Sequence, residues 1–477
     1  MSLEQEASDN PSLERCLWNR STPAGRLPPE MLEHIIAMQA SEQDLLNASR
    51  VCRSWRDILP SSPSLWTEFT CKGVLKTLEY LGAAPIDVIA CCKPGVSIDI
   101  EAVIALKSAT ERFRFLTLQL EPSELSRVLG ELVDPAPILE HLRLSLPRPE
   151  HGSGSIPENF LGGSTPSLKS MHLCDINTGI FFSEFPLLTR LILTTNTETF
   201  DISQLFRVFT SAKLLEEVNV RFLGPTTVIP ETQAVIDLLW MREFIFSTKH
   251  EESPKRLLSF LNMPSVRKVE LSFHNVRKGI ETMQDFLPPQ LWTFPHLLKI
   301  HTLKLDVSDS DCWTQFCGPG GVVSVHVSPF YEERGDVLWQ SHWLGFLVPM
   351  SIADIENITL NTSSLLETGA RLFFLELLRT MNGVQDLTME RCNDKMIIGA
   401  LSPSTEGGIL FPHLKSLMFR LTPKGATVFP HLTDMSRARD QQSYPLGKVS
   451  SDESRTFRRS DVDSLKPHVS CVQLNTE

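Results

Sequence analysis

The chain has 477 residues, 42% of them hydrophobic and 21% charged, the proportions of a soluble globular protein. That length exceeds the roughly 250–300 residues at which one hydrophobic core stops growing, so two parts or an elongated array are expected. A formal net charge of −12 excludes a chain-wide basic surface of the kind that neutralises phosphates, so nucleic acid is not an expected partner.

No run approaches the ~20 apolar residues that a membrane span needs, and the opening MSLEQEASDN lacks a basic segment followed by an apolar one. A soluble protein of the cytoplasm and/or nucleus, without membrane association, is therefore expected. The ten cysteines include no pair of C-x-x-C motifs at zinc-ligand spacing. Cys91-Cys92 and Cys312-x4-Cys317 come nearest and read as reduced thiols. No metal and no cofactor are expected.

Residues 1–24 are polar, carry Pro11 and Pro23 and show no sustained apolar period, which predicts a disordered leader. Leu27-Pro28-Pro29-Glu30 then places proline at the opening turn of a helix, where its fixed φ helps and its missing N–H is not needed. Leu32, Ile35 and Ile36 follow at i, i+3 and i+4, predicting one apolar face. Ser41-Glu42-Gln43-Asp44 has the form of a capping box and predicts a second helix through Leu45, Leu46 and Ala48. Val51, Cys52, Trp55 and Ile58 predict a third, stopped by Pro60 and Pro63. Three short amphipathic helices within about 40 residues bury little surface on their own and need a neighbour.

The ordered series Leu27-Pro28-Pro29-Glu30, Leu32, Ile35-Ile36, then Asp44 to Arg56 with its Val51-Cys52-Arg53-Ser54-Trp55 core, and finally Pro63-Ser64-Leu65-Trp66, resembles the F-box. The resemblance implies that residues 27–66 dock onto a Skp-type adaptor. It would place Leu27 and Pro28 in the adaptor groove, with Leu32, Ile35, Leu45, Leu46, Cys52 and Trp55 on the contacting helix faces. Trp55 is the leading hot-spot candidate, because large aromatic residues dominate helix-in-groove interfaces.

Beyond Phe69 a pattern of three apolar positions, spaced x-x and then x, recurs eleven times. It runs from Phe113, Leu116, Leu118 through Leu139, Leu142, Leu144 and Leu168, Met171, Leu173 to Val384, Leu387, Met389 and Leu414, Leu417, Phe419. Intervals between copies are 20 to 34 residues, except for 55 between Leu305 and Leu360, where Val323 to Val327 alternates like a degenerate twelfth copy. Pro137, Pro166, Pro186, Pro264 and Pro412 each stand two residues before a first apolar position and suggest an extended entry into a strand. Helical spacing at Ile202 to Phe209 and Leu372 to Leu378 favours a mixed architecture over an all-β one.

The region loosely resembles the repeats of fungal leucine-rich-repeat-like F-box proteins. The expected fold class is α/β: a three-helix F-box followed by an irregular leucine-rich-repeat-like solenoid with parallel strands. Its expected divisions are a leader at 1–24, the F-box at 25–69, the solenoid at 70–433 and a disordered tail at 434–477, where Ser, Arg, Asp and Gln dominate.

No G-x-S-x-G, H-E-x-x-H, Walker or G-x-G-x-x-G motif occurs. Gly318-Pro319-Gly320-Gly321 lacks the Lys-Ser/Thr of a phosphate loop and reads as a turn. No catalytic residue is singled out. The repeat leucines read as core, and target contacts are expected from strand-face side chains between them: His172, Arg190, Arg221, Lys268, Lys304 and Glu390.

The resemblance implies a non-catalytic substrate receptor of a Skp–cullin–F-box ubiquitin ligase, binding the adaptor, through it cullin, and a protein target. Ubiquitin transfer would fall to other subunits, by proximity. An F-box scaffold acting outside any ligase remains an alternative. So does a hydrolase or transferase within the repeats, which would need perturbed titratable groups gathered in one pocket.

Overall fold

The computed structural model describes residues 22, 26–38, 42–48, 50–51, 53–59, 62, 85–91, 97–147, 154–177, 184–195, 202–222, 234–249, 257–276, 300–307, 311–329, 354–362, 368–390, 395–403, 409–420, 429–452 and 459–474. They divide into two compact units, residues 1–200 with 204–215, and residues 201–203 with 216–477. Both are mixed α/β, with mostly parallel strands.

The first unit opens with α1 (Pro29–Ala37), α2 (Glu42–Ala48) and α3 (Arg53–Ile58). Pro28 caps α1 with φ −57° and ψ 147°, and its carbonyl accepts from the Leu32 amide at 3.1 Å, so the proline pair sets the helix start. The capping-box residue Ser41 lies outside the described residues.

Among the described residues of this unit the large sheet has five strands: β1 (Ile86–Cys91), β2 (Phe113–Gln119), β3 (His141–Ser145), β4 (Ser170–Cys174) and β5 (Arg190–Thr195). They pair in chain order and all in parallel. Parallel neighbours require crossovers, supplied in part by α4 (Ile100–Ser108), capped by Asp99 accepting from the Glu101 amide, and by α5 (Pro122–Glu131). α6 (Ser203–Ser211) covers the helical spacing read at Ile202 to Phe209.

Register explains the repeat. Leu116, Leu142, Met171 and Leu191 stand side by side, as do Leu118, Leu144, Leu173 and Leu193, and all eight are buried. Because side chains alternate along a strand, the x between the two anchors of each copy points to the other face.

The second unit contains β6 (Glu217–Phe222), β7 (Glu243–Thr248), β8 (Lys268–Val276), β9 (Thr302–Val307), β10 (Cys312–Gly318), β11 (Gly321–Pro329), β12 (Asn357–Thr362), α7 (Thr368–Arg379), β13 (Asp386–Glu390), α8 (Lys395–Ala400) and β14 (Ser416–Arg420). Its spatial strand order is β6-β7-β8-β11-β10-β9-β12-β13-β14, continuing into two further strands described below. Val218, Phe244, Val269 and Val323 form one ladder of anchors, and Leu303, Ile358, Leu387 and Leu417 another.

Three expectations require correction. First, the prolines do not extend the chain into the strand. They occupy the second position of a β-turn whose fourth residue is the first apolar anchor. The Leu139 amide donates to Ala136 across Pro137, Leu168 to Thr165 across Pro166, and Leu414 to Phe411 across Pro412. Proline's fixed φ suits that position.

Second, Val323 to Val327 does form a strand, but not as a simple extra copy. β9, β10 and β11 form an antiparallel meander running backwards between β12 and β8, so β11 sits beside β8 although β9 precedes it in sequence. The turn at Pro319–Gly320 reverses the chain, and the next residue explains its glycine. A Cβ at Gly321 would lie 2.2 Å from the Arg267 carbonyl oxygen, the oxygen that accepts from the Val322 amide at 2.7 Å.

Third, the stretch from 434 onward is not a disordered tail. α9 (Phe429–Gln441), β15 (Leu446–Ser451), α10 (Arg459–Leu465) and β16 (Val469–Leu474) add two parallel strands beyond β14. Leu432, Met435, Leu446, Val449, Leu465 and Val469 are buried. They are few, but Leu432 and Met435, at i and i+3, share one side of α9. Arg439, counted by composition as a solvent residue, is fully buried and donates to the carbonyls of Leu401, Leu410, Phe411 and Tyr444 at 2.9 to 3.2 Å.

Candidate functional site

The apolar residues of α1 divide into two seams. Leu32 and Ile36, at i and i+4, are buried, Leu32 with 2% of its surface exposed. Met31, Ile35 and Met38, at i, i+4 and i+7, form a second seam about a third of a turn round the helix, and all three are exposed, Ile35 at 49% and Met38 at 72%. The single face expected of Leu32, Ile35 and Ile36 is therefore split.

Leu45 and Leu59 are enclosed like Leu32, and the buried Ser62 hydroxyl donates to the Glu33 carboxylate and, at 3.2 Å, to the Ile58 carbonyl, tying α1 to the end of α3. Leu32 and Leu45 thus leave the set of adaptor contacts, because this chain's own packing covers them. Leu27 and Trp55 are partly exposed, and Pro28 and Val51 are exposed. Cys52 and the side chain of Leu46 lie outside the described residues. Sequence reasoning missed Met31, Met38 and Val51; the i, i+4, i+7 spacing of Met31, Ile35 and Met38 was the available signal.

Residues 24–72 match the family model described as F-box-like. The chain carries an F-box-like domain. No curated protein matches the chain. F-box domains typically bind Skp1-type adaptors, and the presence of one here suggests a role in ubiquitin-ligase adaptor function in general. Among the described residues no helix is long and apolar enough to cross a membrane.

The six strand-face candidates occupy the face opposite the buried anchors of their strands. In the first unit His172 on β4 lies between the strands bearing Arg143 and Arg190, with Arg143 directly beside it in register. Burial holds His172 below the ordinary imidazole pKa, and the two guanidinium groups push it the same way. Arg143 went unnoticed in the sequence, where nothing separates it from other exposed arginines.

The second unit does not gather its candidates. Arg221 is exposed on β6; Lys268 on β8 is held by Glu243 at 2.7 Å; Lys304 is exposed on β9; and Glu390 on β13 pairs with Arg420 at 3.4 Å. Glu243 and Glu270 raise the Lys268 pKa, chiefly through the Glu243 hydrogen bond.

A polar cluster that the sequence did not suggest joins β7, β8, β11 and Asp311, the residue before β10. Ser247 Oγ lies 3.1 Å from His274 Nε2, the His274 and His326 rings are 5.8 Å apart, and His326 Nε2 is 3.5 Å from Asp311 Oδ1, which also accepts from Ser328. A nucleophilic serine needs its carboxylate on the same imidazole that takes its proton. Here Ser247 is bonded to His274 while Asp311 faces His326, so the relay is broken between two rings. Burial, first, and the neighbouring His326 hold His274 below its usual pKa. The arrangement fits a hydrogen-bonded surface network better than a catalytic centre.

Proposed function

We propose that the chain is the substrate-recognition subunit of a Skp–cullin–F-box ubiquitin ligase. The F-box, taken as residues 25–69, binds the adaptor through Leu27, Pro28, Ile35 and Trp55 together with Met31, Met38 and Val51. The strands beyond it form a leucine-rich-repeat-like solenoid running to about residue 474, whose anchor-free face holds a protein target. Catalysis belongs to other subunits, and this chain supplies effective concentration.

One observation carries the reading: α1 has a complete buried seam of its own, yet keeps a second apolar seam in solvent. A helix in a finished monomer covers its apolar stripe. Exposed methionine and isoleucine at helical spacing suit a groove on another polypeptide, each contributing about 1 kcal/mol when its remaining surface is covered.

Affinity purification of the tagged full chain tests it. The ligase reading requires a Skp-type adaptor and cullin in the same eluate. Adaptor without cullin favours a scaffold outside the ligase, and absence of both removes the proposal.

A further inference from the structure

We propose that the anchor-free face of the second unit binds an extended peptide that sets an apolar side chain on Trp313 and carboxylates against Arg221 and Lys249. The inference rests on the reading above, in which this face receives a protein target, and adds the chemistry of that target.

Register places the parts. Arg221, Ser247, Ser272, His326, Trp313 and Asp306 stand side by side in one row across the adjacent strands β6, β7, β8, β11, β10 and β9. Lys249, just past the end of β7, and His274 on β8 come two residues after Ser247 and Ser272, so both share their face. On β10 the side chains of Cys312, Thr314 and Phe316 are buried. Trp313 therefore turns to the anchor-free face, where it is partly exposed. Its indole N–H has no hydrogen-bond partner and its ring no stacking partner among the described residues.

Arg221 and Lys249 are exposed and make no ion pair or side-chain hydrogen bond among the described residues. Both act electrostatically on His274, which sets them on one part of the face. The carboxylates around them are engaged elsewhere: Glu243 and Glu270 with Lys268, and Asp311 with Ser328 and His326. Glu217 on β6 also has a partner. Beyond Trp313, Lys304 shares its side of β9 with Asp306.

From Arg221 to Trp313 the row crosses four strand spacings of ~4.8 Å, roughly 19 Å, which about six extended residues cover. A segment lying across the strands can thus rest an apolar side chain on the indole and reach both cations with carboxylates. Midway, the Ser272 hydroxyl, without a partner among the described residues, is placed for its backbone. Tryptophan and arginine are the side chains that most often carry an interface, and arginine's fork suits carboxylates. Charge complementarity then fixes which way the segment runs.

The probes are fluorescein-labelled octapeptides of serine and threonine that carry phenylalanine, a pair of glutamates, or both at separations from about two to about six residues. Anisotropy follows their binding to the full chain. The peptide with both, at the widest separation, is expected to bind best. Arg221→Glu combined with Lys249→Glu should weaken it by roughly tenfold or more and leave the phenylalanine-only peptide unchanged. Trp313→Ala should cost a similar factor and Trp313→Phe less. Arg221 and Lys249 are exposed, and an unchanged melting curve confirms that their variant keeps the fold, so the charge variant decides even where Trp313→Ala unfolds.

No binding by any of these peptides, equal binding by the charge variant, or binding only when phosphoserine replaces glutamate would overturn the inference. Failure here differs visibly from failure of the proposed function. Ile35→Asp should abolish adaptor capture and leave peptide binding intact, while loss of peptide binding leaves adaptor capture untouched.

Discussion

Leu32 and Ile35 lie one helical turn apart on α1, yet Leu32 is sealed inside the chain and Ile35 stands half in solvent. Two leucine-like side chains of one helix thereby have different work. The first holds the helix to the rest of the domain. The second has no cover in this chain, and that asymmetry underlies the functional reading.

The asymmetry separates stability from binding. Leu32→Ala should destabilise the F-box by about 2–5 kcal/mol through lost contacts and a residual cavity, seen as earlier thermal unfolding of that region. Met31→Ser, on the solvent seam, should change stability by no more than about 0.5 kcal/mol. Equal losses in both variants would mean that the two seams are one core.

Arg439 is predicted to be a keystone of the C-terminal strands. Four carbonyls depend on its guanidinium, which remains a cation at neutral pH although burial lowers its pKa to about 10. Arg439→Met should destabilise by about 3 kcal/mol, since it leaves buried acceptors unpaired. Urea unfolding measures this, and Arg439→Lys should recover only part of the loss because an ammonium cannot span the fork.

Gly321→Ala should destabilise by about 1–3 kcal/mol or shift the β10–β11 turn. The added methyl meets backbone, not a flexible side chain, and disturbs the bond from Val322 to Arg267. Denaturant midpoints of the two proteins check it; an unchanged midpoint would place the Arg267 carbonyl farther from Gly321.

His274 gives the pH dependence. Its folded pKa lies below the unfolded value of 6.5, chiefly by burial and then by His326, so the unfolded chain binds more protons between the two values. Stability is therefore complete above 6.5 and falls as pH drops towards the folded pKa. His274→Asn should flatten the decline below pH 6.5 in melting experiments. A steeper decline in the variant would reverse the assigned sign.

The Cys174 thiol is pushed up to about 11, first by burial and then by Asp175, whereas Cys91 and Cys471 are exposed. Iodoacetamide at neutral pH should label Cys91 and Cys471 well before Cys174, because the thiolate is the reactive form. Mass spectrometry of the digested protein reads the order.

What was legible in the sequence was what alternation and turns dictate. Among the described residues, triads such as Leu139, Leu142, Leu144 and Leu414, Leu417, Phe419 lie at a turn and strand because the last two members must point inward together and the first must close the turn. The backward meander was hidden: Cys312 to Gly318 alternates too weakly to announce a strand, and nothing local tells β11 to pair with β8. Composition misjudged the C-terminal elements because Arg439 reads as solvent-facing until its four acceptors are seen. On α1 the spacing of Met31, Ile35 and Met38 marks a second apolar seam, but isoleucine and methionine look alike whether covered or bare, so its exposure emerged only from burial. Arg143 and His172 are 29 residues apart in the chain and become neighbours only through register.

The most direct test of the central claim is the affinity of a purified Skp-type adaptor for the full chain, measured by calorimetry with the wild type, Ile35→Asp and Trp55→Ala. Both variants are predicted to remain folded and to lose at least about tenfold in affinity. Folded variants that bind the adaptor as tightly as the wild type would contradict the account.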